Sequence, residues 1–197
     1  MHAISLVKTI HTILLERIQK GEWVIDATLG KGQDTAFLVA AVGEAGRVFG
    51  FDIQAESLHH VQQRLRSSVL TLYQANHADL LQHLPTVAHG NIRACMFNLG
   101  YLPGGNQHII THATSTLRAL SAACQVLMPE GIVTIIAYPG HPGGAEECGA
   151  VTEFCQQLAT EEFTVEIIVS HSTNPNAPVG FVLKKCGQPL RQHSINR

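Results

Sequence analysis

The sequence carries little charge. Only 14% of its 197 residues are Asp, Glu, Lys or Arg, and the formal net charge is −2. Such a chain is not a strongly basic nucleic-acid binder, so any contact with a phosphate backbone must rest on a local patch. No apolar run approaches the roughly 20 residues that span a bilayer. Lys8 and Arg17 interrupt the apolar N-terminal stretch. We therefore expect no signal peptide, no membrane contact and a cytoplasmic location.

The cysteines give no sign of a metal site or a disulfide framework. The five of them include no C-x-x-C pair, and their number is odd. Cys148 and Cys155 lie seven positions apart in a predicted helix, where they share a face and fit a hydrophobic core better than a metal site. The histidines, including the His59-His60 pair, match no H-E-x-x-H or other ligand spacing. We therefore expect no bound metal.

The length and the apolar content are those of one globular domain. Hydrophobic residues make up 45% of the chain, which is enough for a single αβ core that needs no disulfides or structural metal. Val7, Ile10 and Leu14 recur at helical spacing among charged residues, and Gly21 ends the pattern. We interpret residues 1–197 as one domain in which residues 1–20 form an amphipathic N-terminal cap helix.

Strand-like and helical patterns alternate along the chain. Alternation through five units predicts a parallel sheet with helices on both faces. Asn, Pro and Gly residues crowd positions 174–180, so the last two strands should form an antiparallel hairpin at the sheet edge. The predicted fold is therefore α/β and Rossmann-like, with a seven-stranded, mostly parallel sheet and a C-terminal antiparallel hairpin, as in class I methyltransferases. The predicted strands are 23–27, 47–51, 69–73, 92–98, 132–138, 164–170 and 181–185, and the predicted helices are 34–41, 55–66, 78–84, 109–127 and 145–158.

Segment 24–35, Val-Ile-Asp-Ala-Thr-Leu-Gly-Lys-Gly-Gln-Asp-Thr, predicts a strand, a glycine turn and the start of a helix. Gly30 and Gly32 let the backbone approach a ligand closely, and Asp52 at the end of the second strand suits a ribose diol. Thr35 replaces the third glycine of the dinucleotide fingerprint, which disfavours a nicotinamide dehydrogenase. A phosphate-binding P-loop also fails, because a glycine follows the lysine where Ser or Thr is required. The turn predicts a cofactor with a ribose but no diphosphate, for which S-adenosylmethionine (SAM) is the obvious candidate.

Polar side chains follow the predicted strands, at the sheet edge where ligands bind in this class of fold. For Asp52 we favour a ribose contact over a helix N-cap. Lys31 either pairs with the carboxylate of the methionine moiety or is solvated. Asn76 and His77 either contact the adenine or lie at the surface, and Asp34 also fits a helix cap. The candidate cofactor residues are Asp26, Gly30, Lys31, Gly32, Gln33, Asp34, Thr35, Asp52, Gln54, Asn76, His77 and Asn98.

The segment after the fourth strand, 97–106, reads Phe-Asn-Leu-Gly-Tyr-Leu-Pro-Gly-Gly-Asn. Nucleic-acid amino methyltransferases often carry Asn-Pro-Pro-Tyr at this place, where the Asn accepts a hydrogen bond from the target amine and the ring stacks on the base. Asn98 and Tyr101 keep the polar and aromatic ends of that pattern. A plain glycine-rich turn explains the glycines but leaves these two side chains unexplained.

A third segment, 138–147, follows the fifth strand and brings an aromatic residue, a histidine and two acids to the same edge. Glu146 and Glu147 fall in the first turn of a helix, where they complement the helix dipole. His141 lies between prolines in a loop without an apolar stripe, so we favour a site role for it. Tyr138 directly precedes this loop.

These segments resemble those of the tRNA 5-aminomethyl-2-thiouridine methyltransferases, a family long labelled rRNA methylases. Members carry Asp-Ala-Thr-x-Gly-x-Gly-x-Asp-Thr, Gly-Phe-Asp-Ile-Gln, Phe-Asn-Leu-Gly-Tyr-Leu-Pro-Gly-Gly and Tyr-Pro-Gly-His-x-Gly-Gly, which match 26–35, 50–54, 97–105 and 138–144 here. The likeness covers nearly the whole chain. The chain departs from the family at Lys31 and Gln33, where the family has Asn and His, although both replacements can hydrogen-bond.

The resemblance implies transfer of a methyl group from SAM to the exocyclic amine of 5-aminomethyluridine at the wobble position of certain tRNAs, with the anticodon loop as partner. On this hypothesis Asn98 positions the amine, Tyr101 stacks on the base, and Tyr138 or His141 is the hydrogen-bonding partner or proton acceptor. The alternatives are methylation of rRNA or of a small amine, and a non-catalytic nucleoside-binding module. The apolar first helix or the edge hairpin offers a surface for a homodimer.

Overall fold

Strands and helices alternate along the part of the chain that the computed structural model describes, residues 5–100, 110–158, 162–169 and 174–187. The strands are β1 (Trp23–Asp26), β2 (Arg47–Asp52), β3 (Leu70–Gln74), β4 (Ile92–Asn98), β5 (Leu127–Ala137), β6 (Phe163–Val169) and β7 (Val179–Lys185). The helices are α1 (Leu6–Leu15), α2 (Gln33–Val42), α3 (Ala55–Arg64), α4 (Leu80–His83), α5 (Ala113–Val126) and α6 (Gly144–Leu158). Single 3₁₀ turns lie at His77–Asp79 and Thr86–Ala88.

The strands form one sheet in the order β3-β2-β1-β4-β5-β7-β6. Pairing from β3 through β5 is parallel, and β7 pairs antiparallel with both β5 and β6. The predicted fold class is confirmed. The hairpin differs from a simple edge pair, because β7 inserts beside β5 and leaves β6 at the edge. The strand order reverses between β1 and β4, which opens a crevice at the carboxyl ends of these strands.

Helices cover both faces of the sheet because the central strands are apolar on both faces. Val24 and Ile25 are adjacent in β1 and both fully buried, and they belong to separate core clusters. Their side chains point to opposite faces. The cluster around Ile25 includes Phe97 and also receives Cys148 and Cys155, so both cysteines pack against the core as the sequence favoured.

Helix α1 packs over the other cluster and covers part of the sheet next to β5 and β7. Ser5 caps it, since its hydroxyl accepts a hydrogen bond from the N–H of Lys8. Ile10 and Leu14 are fully buried, and each such side chain contributes about 1.5–3 kcal/mol through burial. Within the stretch 1–20, for which the sequence predicts a cap helix, the described residues form a helix over Leu6–Leu15. None of the helices in the described ranges is long and apolar enough to cross a bilayer.

Several element boundaries differ by a few residues from the sequence predictions, and a proline lies beside two of them. The helix predicted over 109–127 ends at Val126, and β5 begins at Leu127 instead of near 132. Pro129 disfavours helical backbone in the residue before it and so ends the helix. In the same way Leu84 is extended because Pro85 follows it, which limits α4 to one turn.

Candidate active site

A cleft of about 790 Å³ opens at the carboxyl ends of the central strands, where the strand order reverses. That volume falls in the range of small-molecule sites. Residues from the loops after five different strands meet here, as the sequence predicted from their places at strand ends. The predicted site residues that line the cleft are Gly30, Lys31, Gln33, Asp34, Asp52, Gln54, Asn76, His77, Asn98, Tyr138 and His141.

Asp26 and Thr35, both predicted as cofactor residues, lie beneath the cleft instead of in its wall. Both are fully buried. The Asp26 carboxyl accepts hydrogen bonds from the N–H of Thr28 at 3.1 Å and from the hydroxyl of Thr35 at 2.5 Å. Burial raises the pKa of Asp26 to about 7, with a smaller upward contribution from Asp34 nearby. These two residues therefore hold the glycine loop in shape from below.

Gly32 also lies outside the cleft wall, and the packing of α3 against the loop requires a glycine at this position. Its φ is +72°, and a Cβ placed on it would lie 2.5 Å from the Cγ2 of Val61 on α3. We expected this residue to admit a ligand, whereas the space that its missing side chain leaves is filled by α3. Gly30, with φ of +49°, is the glycine of the loop that lines the cleft.

Asp52 ties the glycine loop to the end of β2. Its Oδ2 accepts the N–H of Gly30 at 3.0 Å, and its Oδ1 accepts the N–H of Gln54 at 2.8 Å. Each carboxylate oxygen has a further lone pair, so the group can still accept hydrogen bonds from two hydroxyls in the cleft. The N-cap of α3 is Gln54, which removes the alternative reading of Asp52 as the cap.

His77 joins the loop after β3 to β1. The ring is buried, and its Nδ1 lies 3.2 Å from the carbonyl oxygen of Ala27. A carbonyl only accepts, so Nδ1 carries the hydrogen and Nε2 is an acceptor. Burial lowers the pKa of His77, which keeps the ring neutral. Beside it, the Asn76 side chain accepts the N–H of Ala78 at 2.9 Å and caps the 3₁₀ turn.

Asn98, Asp34 and His11 form a chain of side chains from the cleft to the cap helix. The Asn98 amide nitrogen donates to Asp34 Oδ2 at 3.1 Å, and His11 Nε2 lies 2.8 Å from Asp34 Oδ1. A carboxylate only accepts, so the Asn98 amide must turn its nitrogen toward Asp34 and its oxygen away. The His11 ring stacks on Phe37 with centroids 3.9 Å apart. The backbone of Asn98 is held as well, because its backbone N–H donates to the Thr28 hydroxyl at 2.7 Å.

The sequence did not identify His11 as a residue that contacts the site. The residue lies in the predicted cap helix, in a pattern that indicates only an amphipathic surface. The one feature that sets His11 apart is that this polar ring is next in sequence to Ile10, which is fully buried. The contact with Asp34 joins residues 23 positions apart and depends on how α1 docks on α2.

Tyr138 lies at the end of β5, half-buried in the cleft wall. Burial and, to a lesser extent, the Asp34 carboxylate raise the pKa of its phenol. The phenol is therefore protonated at neutral pH and acts as a hydrogen-bonding partner more readily than as a proton acceptor.

His141 packs its ring between two glycines. Its Nδ1 lies 2.9 Å from the carbonyl oxygen of Pro142. A Cβ on Gly100 would lie 3.4 Å from the His141 Nε2, and a Cβ on Gly144 would lie 2.9 Å from it. The ring thus joins the loop after β4 to the start of α6, at the cleft wall.

Glu147 is a buried carboxylate that the sequence predicted only as a complement to a helix dipole. It accepts the hydroxyls of Thr111 at 2.7 Å and Thr116 at 2.6 Å. The Thr111 hydroxyl in turn accepts the N–H of Gly100 at 2.8 Å, and the Thr111 N–H donates to the Gly100 carbonyl at 2.9 Å. Through Thr111, Glu147 therefore holds together described residues that lie on either side of positions 101–109. Tyr101 lies outside the described residues, so its stacking role stays a prediction.

Within the described residues, no group of three or more His, Cys, Asp or Glu side chains is arranged to hold a metal ion. The polar groups of the cleft are instead divided between two halves. The carboxyl ends of β1, β2 and β3 supply one half with Gly30, Asp52 and His77, which we name the cofactor half after the role predicted from the sequence. The carboxyl ends of β4 and β5 supply the other half with Asn98 and Tyr138, which we name the target half on the same basis.

Comparison with known proteins supports the family resemblance. Residues 48–184 match a family model described as "Putative rRNA methylase". The chain is 37% identical over 165 residues to the protein named tRNA (mnm(5)s(2)U34)-methyltransferase, chloroplastic, from Arabidopsis thaliana; the match covers 78% of this chain and 60% of that protein. This chain thus spans less than two thirds of that relative.

Two solved structures share the fold. A putative rRNA-methylase from Clostridium thermocellum has a TM-score of 0.88 and 33% identity, over 94% of this chain and 100% of that one. A putative methyltransferase from Streptococcus mutans, solved in complex with SAH, has a TM-score of 0.80 and 28% identity, over 92% of this chain and 98% of that one. The predicted family is confirmed: this chain belongs to the rRNA methylase family.

Proposed function

We propose that this protein is a SAM-dependent N-methyltransferase that acts on the aminomethyl group of 5-aminomethyl-(2-thio)uridine at the wobble position of tRNA. The name of the Arabidopsis relative states this type of target, and the Streptococcus structure holds SAH, the product that SAM leaves after methyl transfer. The observation that carries the proposal is the orientation of Asn98, whose amide oxygen is directed away from Asp34 beside the cofactor half.

The cofactor half suits an adenosine. Asp52 keeps one lone pair on each oxygen for the ribose hydroxyls, and Gly30 brings backbone close to them. Ile53 lines the cleft and is 48% exposed, an unusual position for a large apolar side chain that an adenine ring would cover. When bound, SAM supplies a methyl group on a sulfonium, which is a good leaving group.

The target half suits an amine. Asn98 Oδ1 accepts a hydrogen bond from the target nitrogen, and Tyr138 offers a phenol hydroxyl beside it. An alkylamine has a pKa of about 10 and is mostly protonated at neutral pH, without the lone pair needed for attack. The partly apolar cleft lowers that pKa, because burial disfavours the charged form. Most of the rate then comes from holding nitrogen, methyl carbon and sulfur in line.

The partner under this proposal is the anticodon loop of tRNA. An unstacked loop base reaches a pocket of this depth more easily than a paired one. Four cations are candidates for phosphate contacts: Lys31, Arg118, Lys184 and Lys185. Arg118 pairs with Asp79, Lys184 with Glu166, and Lys185 donates to two backbone carbonyls. Lys31, exposed at the cleft wall, is therefore the best placed of the four.

We further propose that residues 1–197 act as one domain, because α1 packs on the sheet and reaches Asp34 through His11. The cap helix is then part of the catalytic unit, and its removal should impair the site as well as the core.

The deciding experiment is methyl transfer from SAM to matched tRNAs. We expect the purified full chain to methylate tRNA that carries 5-aminomethyluridine and not the same tRNA with unmodified uridine, as read by mass spectrometry of the nucleosides. Transfer to rRNA or to free aminomethyluridine with equal efficiency would support the alternative substrates instead. Binding of SAH without any transfer would support the nucleoside-binding module.

A further inference from the structure

Asp34 is placed in a way that a cofactor contact does not explain. It is 8% exposed and opens α2, yet its two oxygens are taken up by side chains from two other elements, α1 and β4. The Asn98 side chain that it orients belongs to the target half. A buried carboxylate is costly unless it is paired, so this arrangement indicates a definite task for the charge.

We propose that Asp34 binds the ammonium form of the target amine and accepts its proton, and that His11 of α1 is the positioning residue for Asp34. This inference rests on the proposed function and adds to it a proton acceptor and the reason for a cap helix. Asp34 lines the cleft next to Asn98. In this proposal the amine donates one N–H to the Asn98 oxygen and a second N–H, across the Asn98 amide, to Asp34 Oδ2, which keeps a second lone pair.

The reaction needs such a group to balance. The target enters as R–NH₃⁺, and one N–H bond breaks with its electron pair left on nitrogen, so that Asp34 becomes the neutral acid. The lone pair forms a bond to the methyl carbon while the carbon–sulfur bond breaks toward sulfur, giving R–NH₂⁺–CH₃. Asp34 returns its proton to water when the product leaves. Burial favours the first step, because an amine and a carboxylic acid are cheaper to keep in a dry cleft than an ammonium and a carboxylate.

The other carboxylates near the cleft and the Tyr138 phenol are less suited to this step. Asp26 is sealed beneath the loop and already accepts the Thr35 hydroxyl. Asp52 belongs to the cofactor half and accepts two backbone N–H groups. The Tyr138 phenol keeps its proton. Asp34 is the carboxylate of the described cleft wall that contacts Asn98.

His11 acts through Asp34 without touching the target. Its Nε2 donates to Asp34 Oδ1 at 2.8 Å, which leaves Oδ2 for Asn98 and the amine. The stack on Phe37 fixes the ring, since the two planes are 2° apart. Glutamine at position 11 can supply a similar N–H donor, whereas alanine cannot.

The test uses four variants of the full chain: Asp34→Asn, His11→Ala, His11→Gln and, as a matched control, His60→Gln on the exposed face of α3. Each is assayed for single-turnover methyl transfer to tRNA bearing 5-aminomethyluridine and, by calorimetry, for SAH affinity. We expect Asp34→Asn to lower the rate by about 100-fold or more and His11→Ala by about tenfold. We expect His11→Gln to restore most of the rate, His60→Gln to match the wild type, and SAH affinity to be unchanged in all four.

A second readout separates this role from a structural one. Asp34→Asn should bind aminomethyl-bearing and unmodified tRNA with equal affinity, whereas the wild type prefers the aminomethyl form. The proposal is overturned if Asp34→Asn keeps its rate, or if SAH affinity falls by the same factor as the rate. If the wild type itself transfers no methyl group to this tRNA, the proposed function fails. If the wild type is active and Asp34→Asn is equally active, only the role of Asp34 fails.

Discussion

Asp52 Oδ2 accepts the backbone N–H of Gly30 at 3.0 Å, although the two residues lie 22 positions apart in sequence. This hydrogen bond joins the loop after β1 to the end of β2, the two segments that a ribose would contact together. The same carboxylate thus shapes the loop and faces the cleft.

Asp52→Asn should lower SAH affinity by about tenfold to 100-fold, measured by isothermal titration calorimetry. An amide has one acceptor oxygen where the carboxylate has two, so either a backbone N–H or a ribose hydroxyl loses its partner. Asp79→Asn is the control, because Asp79 pairs with Arg118 outside the cleft wall and should leave SAH affinity unchanged. Wild-type affinity in Asp52→Asn would rule out a ribose contact.

Asn98→Ala should lower turnover by about 100-fold while leaving SAH affinity nearly unchanged, because the amide aligns the target and contributes little to holding the cofactor. Steady-state kinetics with saturating SAM, paired with calorimetry, measures the two effects separately. Asn91→Ala removes an exposed amide that donates to the Val87 carbonyl and serves as the control. Equal losses in turnover and affinity would instead assign Asn98 to the cofactor.

Asp26→Asn should flatten the dependence of stability on pH. Burial raises the pKa of Asp26 from its ordinary 3.8 to about 7, so the folded state binds a proton that the unfolded state releases between about pH 4 and pH 7. Stability due to this group is therefore present at low pH and is lost as pH rises through 7. His77, whose pKa is lowered by burial, works in the opposite direction below its ordinary 6.5.

The measurement for Asp26 compares melting temperatures of the wild type and Asp26→Asn at pH 5 and pH 8. Since His77 is common to both proteins, its contribution cancels in the difference between them. We expect Asp26→Asn to gain relative to the wild type on going from pH 5 to pH 8. An identical pH dependence in the two proteins would mean that Asp26 is ionised in the folded state throughout.

Gly32→Ala should destabilise the protein by about 1–3 kcal/mol, because the new Cβ meets Val61 and the φ of +72° is unfavourable for alanine. Adding Val61→Ala removes the clash but not the backbone strain. We therefore expect Gly32→Ala to cost less stability in the Val61→Ala background than in the wild type, as measured by urea unfolding. Strict additivity of the two substitutions would show that the loop does not pack on α3 in this way.

The sequence was sufficient for the sheet and for the polar edge because both depend on local patterns. Apolar runs such as 92–98 make strands, and residues directly after a strand must lie at its carboxyl end. Asp52 and Asn98 could therefore be placed in the cleft before the structure was considered. The segments that match the family gave the chemistry, which no periodicity contains.

The contacts between distant segments could not be predicted in the same way. His11 meets Asp34 only because α1 docks on the sheet through Ile10 and Leu14. A glycine in a loop indicates freedom of the backbone without saying what fills the space beside it, and at Gly32 the answer is Val61. Such facts depend on tertiary packing.

Glu147→Gln offers the sharpest test of how the target half is held. Its two oxygens accept the Thr111 and Thr116 hydroxyls, and Thr111 also accepts the N–H of Gly100. A glutamine keeps one acceptor and turns its NH₂ group toward the other hydroxyl, which must then reverse its own hydrogen bond. Because Gly100 and Thr111 lie on either side of positions 101–109, in the target half, the loss should reach the target and spare the cofactor.

We expect Glu147→Gln to raise the KM for tRNA and to lower kcat by about tenfold, with SAH affinity unchanged, and to cost about 1–3 kcal/mol of stability. Glu146→Gln is the matched control, since the neighbouring side chain is exposed at the same helix start and should behave as the wild type. If both variants have the same modest effect, Glu147 contributes through the helix dipole, as the sequence alone suggested. The two substitutions remove the same charge from adjacent positions and differ only in what that charge contacts. If only Glu147→Gln loses activity toward tRNA, the contacts of the buried carboxylate with Thr111 and Thr116 are therefore what the target half needs.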